Sequence, residues 1–222
     1  MIALDSQRRQ RCEPKSKKEI LLSATDELVS KEKGMTSNIY IGLVHHPIYD
    51  KRKEIVATAI TNFDLHDIAR CARTFGIGGF FVITPLESQI QLAERILRHW
   101  REGPGSVYNP TRKESLSLIQ VSRTIDEADR TLSDLWQKKA KRVATGASPH
   151  PKSISYEMFR KLLEGLDTPY FILFGTGWGL TQEVKDNSDY VLAPIEGKGY
   201  NHLSVRSAVA IILDRLLGNR IH

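Results

Sequence analysis

From Asn38 onward the sequence predicts an α/β fold: a mostly parallel sheet with helices on both faces. Short runs rich in Val, Ile and Phe alternate with segments of helical periodicity, the pattern of strands joined by crossover helices. Glycine and proline punctuate the joins, as at Pro47, Gly76 and Pro85. A chain of 222 residues, 41% hydrophobic, is long enough to bury one sizeable core.

Residues 1–36 stand apart. They are charge-rich, and their only apolar cluster, Ile20 to Leu22, is too short to build a core, so a flexible charged arm is expected there and the folded domain over 37–222. Within the domain, NIYIGLVHHPIY reads as a strand ending at Pro47, LHDIARCARTFG as a helix stopped by Gly76, and GGFFVITP as a buried strand stopped by Pro85. In SQIQLAERILRHWREG, Ile90, Ala93, Leu97 and Trp100 recur at helical spacing and should face the core, leaving Arg95, Arg98 and Arg101 to solvent. GPGSVYNPTRKES reads as a turn-rich connection. A strand (LSLIQV), a helix (IDEADRTLSDLWQKK), a strand (RVATGAS) and a helix (SYEMFRKLLEGL) follow. Then come PYFILFGTGWGL, a strand running into a glycine-rich turn, the short helix TQEVKDN, and YVLAPIEGKGYNHL as strand and loop. SVRSAVAIILDRLLG closes the chain as an amphipathic helix, with Ser204 placed to cap it.

Composition narrows the function classes. No apolar run approaches the roughly eighteen residues of a membrane span, and the N-terminus lacks the apolar core of a signal peptide, so a soluble protein without a membrane partner is expected. Acidic residues mixed through the arm argue against a transit peptide. Cys12 and Cys71 form no CxxC or other metal spacing, which fits a reducing cytoplasm. His45 and His46 are adjacent strand residues that point to opposite faces and cannot readily share an ion, so no metal is expected. The net charge of +6 favours a polyanionic partner through phosphate contacts, and Lys51, Arg52 and Lys53 form a basic cluster just after the first strand.

Ligands of doubly wound α/β folds bind beyond the carboxyl ends of the strands. Three loops fall there: ATGAS (144–148), FGTGWGL (174–180) and PIEGKGYNHLS (194–204). Glycine lets backbone N–H and C=O groups approach a ligand, which suits an adenine edge or a carboxylate. Any one such loop reads equally as a tight turn, whereas three in succession point to a pocket. A nucleotide-phosphate site fits poorly, because FGTGWGL lacks the G-x-G-x-x-G spacing and no G-x-x-x-x-G-K-[ST] occurs.

Three stretches carry a family likeness. FDLHDIARCARTFGIGGFFVITP resembles the first motif of the SPOUT superfamily of RNA methyltransferases, and FGTGWGL and APIEGKGYNHLSVRSA are similar to its second and third motifs, in the right order. The resemblance spans Asn38 to His222 and points to a small bacterial branch of SAM-dependent RNA methyltransferases. It implies a C-terminal trefoil knot, where general topology rules would predict none. It also implies a homodimer, S-adenosyl-L-methionine as cofactor, and RNA, either tRNA or rRNA, as substrate. The implied cofactor pocket comprises Thr145, Gly146, Ala147, Phe174, Gly175, Thr176, Gly177, Trp178, Ile195, Gly197, Tyr200, Asn201 and Leu203. Arg70 falls where the superfamily's functional arginine sits, and Asp64 replaces its usual asparagine. The glutamate that ribose-methylating members carry in the second motif is missing, and His202-Leu203-Ser204 stands where they have Ser-Leu-Asn. The position methylated, ribose or base, therefore stays open.

Methyl transfer from a sulfonium needs an in-line nucleophile and a place for its proton, so the protein mainly orients. Arg70 stays protonated and is assigned to holding a phosphate or the target nucleotide, with an ion pair to Asp67 as its bland alternative. His202 is the candidate proton acceptor, while Asn201 and Ser204 can orient the target. Trp178 can stack on a base or simply pack. A bulky residue at Gly175 or Gly177 is expected to weaken cofactor binding by filling the ligand's approach. The competing readings are a knotted RNA-binding protein without catalysis and, more remotely, a nucleotide-dependent oxidoreductase.

Overall fold

The computed structural model describes residues 37–219, and the arm expected over 1–36 lies outside them. Strand β1 (Ile39–Val44) is buried along its whole length, as a central parallel strand covered on both faces must be. It pairs in parallel with β4 (Gly79–Ile83) on one side and β8 (Tyr170–Gly175) on the other. Outward from β4 lies β5 (Ile119–Ser122). Outward from β8 lie β6 (Lys141–Ala144), β9 (Tyr190–Leu192) and the two-residue β7 (Ser153–Ile154). The described residues thus form a seven-stranded sheet in the order β5-β4-β1-β8-β6-β9-β7, with every pairing parallel. A separate antiparallel pair, β2 (Ile48–Tyr49) and β3 (Ile55–Val56), follows β1.

Helices cover both faces, because side chains alternate along each strand. Ile39, Ile41 and Leu43 face one core, which is closed by α1 (Asn62–Thr74), α2 (Glu87–Arg101), α6 (Tyr156–Leu163) and α8 (Val205–Leu217). Tyr40 and Val44 face the other, closed by α5 (Ile125–Trp136). A Cβ on Gly42 would lie 2.9 Å from the Phe171 ring, so the glycine makes room for that ring in the second core. Among the described residues no helix is long and apolar enough to cross a membrane.

Two expectations need correction. The stretch read as turns holds two short helices, α3 (Pro104–Tyr108) and α4 (Pro110–Leu116). Each starts on a proline, whose fixed φ suits a first helical turn, and the Asn109 side chain caps α4 by accepting from Arg112 N. Arg101 does not face solvent: it donates to the Leu116 carbonyl from Nε (3.2 Å) and Nη2 (2.8 Å), and also reaches the Ile119 carbonyl. Burial pulls its pKa down, and the carbonyls it satisfies fix the start of β5 against α2.

Candidate active site

Strands β8, β6 and β9 are neighbours and parallel, so the loops that leave their carboxyl ends emerge side by side. Polar side chains bind these loops to one another and to the sheet. Thr145 Oγ1 donates to the Leu173 carbonyl (2.9 Å), Thr176 Oγ1 to the Val44 carbonyl (3.1 Å), and Asn201 Nδ2 to the Ala147 carbonyl (2.9 Å). Together with the first turns of α1 and α8 the loops enclose a cavity of about 750 Å³. That is within the range of small-molecule sites, roughly 300–1,000 Å³.

Of the residues singled out from the sequence, the structure brings together on this cavity Asp64, Thr145, Gly146, Ala147, Phe174, Gly175, Thr176, Gly177, Trp178, Ile195, Asn201, His202, Leu203 and Ser204. Gly197 and Tyr200 are not on its wall. A Cβ on Gly197 would fall 2.1 Å from the Tyr200 carbonyl oxygen, so these two close the tight turn that carries the third loop back. Arg70 is elsewhere, exposed beside a second cavity of about 330 Å³ that it shares with Arg73, Asn109 and Arg112. Asp67, the partner in its bland alternative, is engaged by Arg206 instead, at 3.7 Å.

The glycines divide into two kinds. At Gly175 a Cβ would sit 2.4 Å from Leu180 N, and at Gly177, where φ is +55°, it would sit 2.7 Å from Ile48 Cδ1. Both positions are closed by the protein's own chain, so the reason first given for them, clearance for a ligand, is not the one the structure shows. Gly146 is different. The nearest atoms to a Cβ there belong to the Lys185 side chain, with Nζ at 3.4 Å, so this backbone faces the open cavity.

Asp64 opens α1 and is almost fully buried. Its Oδ2 accepts from Thr61 Oγ1 (2.7 Å), and its Oδ1 lies 3.4 Å from Arg206 Nε. The Arg206 guanidinium in turn rests over the Phe63 ring, 5.5 Å from its centroid. Both Asp64 oxygens are therefore engaged, and the carboxylate holds Arg206 at the cavity wall. Sequence reasoning missed Arg206, Lys185 and Thr58, all of which line the cavity.

A hydrogen-bond chain runs from the wall into the core. The Val44 carbonyl can only accept, so Thr176 Oγ1 donates to it and must accept from Thr58 Oγ1 (2.6 Å). Thr58 then has no proton left for His45, so His45 Nδ1 is the donor to Thr58, at 2.9 Å. This leaves Nε2 as a bare acceptor, buried and without a partner among the described residues. Burial drives the His45 pKa down to about 4, against a smaller opposing pull from Asp64. His45 is thus a neutral buried imidazole that anchors Thr58 and Thr176 in the cavity wall.

The mouth is aromatic. His202 lies edge-to-face with Trp178 (6.4 Å) and Tyr200 (5.5 Å), and Trp178 is 65% exposed. Phe63 is exposed as well. Ser204 caps α8, accepting from Ser207 N at 3.3 Å.

Residues 38–218 match a family described as SAM-dependent RNA methyltransferase. The chain belongs to that family. This agrees with the membership implied by the three motifs. Within the SAM-dependent RNA methyltransferases, a tRNA (guanine-N(1)-)-methyltransferase of Oleidesulfovibrio alaskensis is 42% identical over 188 residues, covering 83% of this chain and 43% of that protein. One from Nitratidesulfovibrio vulgaris is 44% identical over 191 residues, covering 82% of this chain and 42% of that protein. The chain spans less than half the length of these relatives. Among solved structures, a probable methylase family protein from Haemophilus influenzae superposes with a TM-score of 0.55 at 18% identity, over 82% of this chain and 66% of that one. That likeness concerns the fold.

Proposed function

We propose that this chain transfers the methyl group of S-adenosyl-L-methionine to RNA, with the cofactor held in the strand-end cavity. What carries the reading is that the second- and third-motif loops of a SAM-dependent RNA methyltransferase stand side by side around one cavity of small-molecule size. The walls suit an adenosine: Phe174, Ile195 and Ile212 supply apolar surface, and Gly146 offers bare backbone. When bound, the cofactor supplies an electrophilic methyl group on its sulfonium. The chain's own residues orient and desolvate the target.

At the mouth, Trp178 and Phe63 give flat surfaces on which a base can stack. The exposed His202 imidazole takes the role of proton acceptor, while Asp64, both oxygens engaged, orients Arg206. Arg70 holds a phosphate away from the reacting atoms, on the side of α1 facing the second cavity. Part of this proposal is that the C-terminal segment is threaded as a trefoil knot, that the protein works as a homodimer, and that it acts in the cytoplasm.

The named relatives direct the choice of RNA. More than half of each lies outside the match, so the guanine-N(1) activity in their names can reside in either part. Two units on one chain commonly serve one substrate, which makes tRNA the first RNA to test. Incubating the protein with methyl-labelled cofactor and total RNA from a strain lacking the gene should label a discrete RNA, with tRNA expected. Cofactor binding without label in any RNA fraction would favour the non-catalytic RNA-binding reading instead.

A further inference from the structure

Two cationic side chains reach the cavity, Lys185 and Arg206, and they differ in what surrounds them. Arg206 is already paired with Asp64 and Asp67 and stacked on Phe63. Lys185 is half-buried, and no carboxylate among the described residues pairs with its ammonium. A cation withdrawn from water without a counter-charge is unfavourable, and a ligand anion at that point restores the balance.

The placement is built rather than incidental. Lys185 sits on α7 (Gln182–Asp186), capped by Thr181, whose hydroxyl accepts from Val184 N. Its neighbour Asp186 is occupied by His150 Nε2 (3.1 Å) and Gln182 Nε2 (3.1 Å), which docks α7 against the segment following β6. That leaves Lys185 to lie over Gly146, its Nζ 3.4 Å from where a Cβ would stand. The carboxylate next to it in sequence thus serves the scaffold, and Asp189 is taken by Lys141 and Arg142 N, so neither serves Lys185.

We propose that Lys185 holds the terminal carboxylate of the cofactor's amino-acid tail. The inference rests on the cofactor reading above and adds to it the end of the cavity at which the tail lies, beside Gly146. A lysine ammonium suits this task as a compact point charge that donates to either carboxylate oxygen.

The test is calorimetric and needs no turnover. S-adenosylhomocysteine and 5′-methylthioadenosine share the adenosine and thioether, but only the first carries the amino-acid tail. Lys185→Gln should weaken S-adenosylhomocysteine roughly tenfold, the scale of one charge-assisted hydrogen bond, and leave methylthioadenosine within about twofold. Lys185→Arg should restore much of the loss. Equal weakening of both ligands would reveal a packing role and overturn the proposal, as would no change in either. Unchanged S-adenosylhomocysteine binding with weakened, salt-sensitive RNA binding would assign the ammonium to an RNA phosphate and overturn it too. If neither ligand binds the wild-type protein, the cofactor reading itself falls.

Discussion

Gly175 and Gly146 line the same cavity but should fail differently when given a methyl group. At Gly175 the added Cβ would stand 2.4 Å from Leu180 N and 2.8 Å from Gly179 C, both backbone atoms that cannot swing aside. Restoring ordinary contact means moving the 175–180 turn by about 1 Å, the kind of overpacking that costs roughly 1–3 kcal/mol. At about 2–4 °C per kcal/mol for a domain this size, Gly175→Ala should lower Tm by roughly 2–12 °C. Cofactor affinity should fall with it, because Phe174, Thr176 and Trp178 ride on that turn. Gly146→Ala meets only the end of Lys185, at 3.4 Å, so stability should change by less than about 0.5 kcal/mol while cofactor affinity drops. Differential scanning fluorimetry and calorimetry on the two variants give both readouts. If Gly175→Ala leaves Tm unchanged yet abolishes cofactor binding, its face is open to ligand and the packing argument is wrong.

Two further outcomes follow from buried polar groups. His45 is neutral in the fold with a pKa of about 4, below its ordinary 6.5, so the unfolded chain binds the extra proton first. Its neutral form therefore contributes stability that is fully present above pH 6.5 and is lost as pH falls toward 4, by about 3 kcal/mol in all. Thermal melts between those limits should show a steeper acid loss for wild type than for His45→Gln; parallel curves would refute the assignment. Asn38 Nδ2 donates to the Gly165 and Thr168 carbonyls, each at 2.9 Å, and ties the start of β1 to the turn before β8. Asn38→Ala leaves both acceptors unmatched and should cost about 2 kcal/mol in urea unfolding, whereas a loss under about 0.5 kcal/mol would show that water replaces the amide.

The sheet was legible because parallel strands buried on both faces read as unbroken apolar runs, and IYIGLV, GFFVI and YFILF all do. The capped helices were legible for a local reason too: Ser204 stands one residue before its helix and accepts from the third residue along. What escaped lacked a local signal, or had a misleading one. Pro104 and Pro110 read as breakers although each begins a helix. Strand β7 is two residues long and is defined only by its register with Val191 and Leu192. Arg101 looked solvent-facing by periodicity, yet its length lets the guanidinium fold back onto carbonyls before β5.

The site shows the same division between what a segment states and what packing decides. Its loops were readable as glycine-rich strand ends, and the motif likeness supplied a ligand for them. The charges were not. Asp64 could be placed in its motif, but its cation comes from α8, and nothing in either segment says that these helix ends meet. One mark was available all the same. Arg206 stands in the first turn of α8, where the helix dipole disfavours a cation. In the fold Asp64 and Asp67 offset that cost from across the cavity wall. A charge that breaks a local rule implies compensation from elsewhere in the structure, and such positions concentrate at functional sites. Read that way, the residue to suspect in SVRSAVAIILDRLLG was its arginine at the second helical position, not only its capping serine.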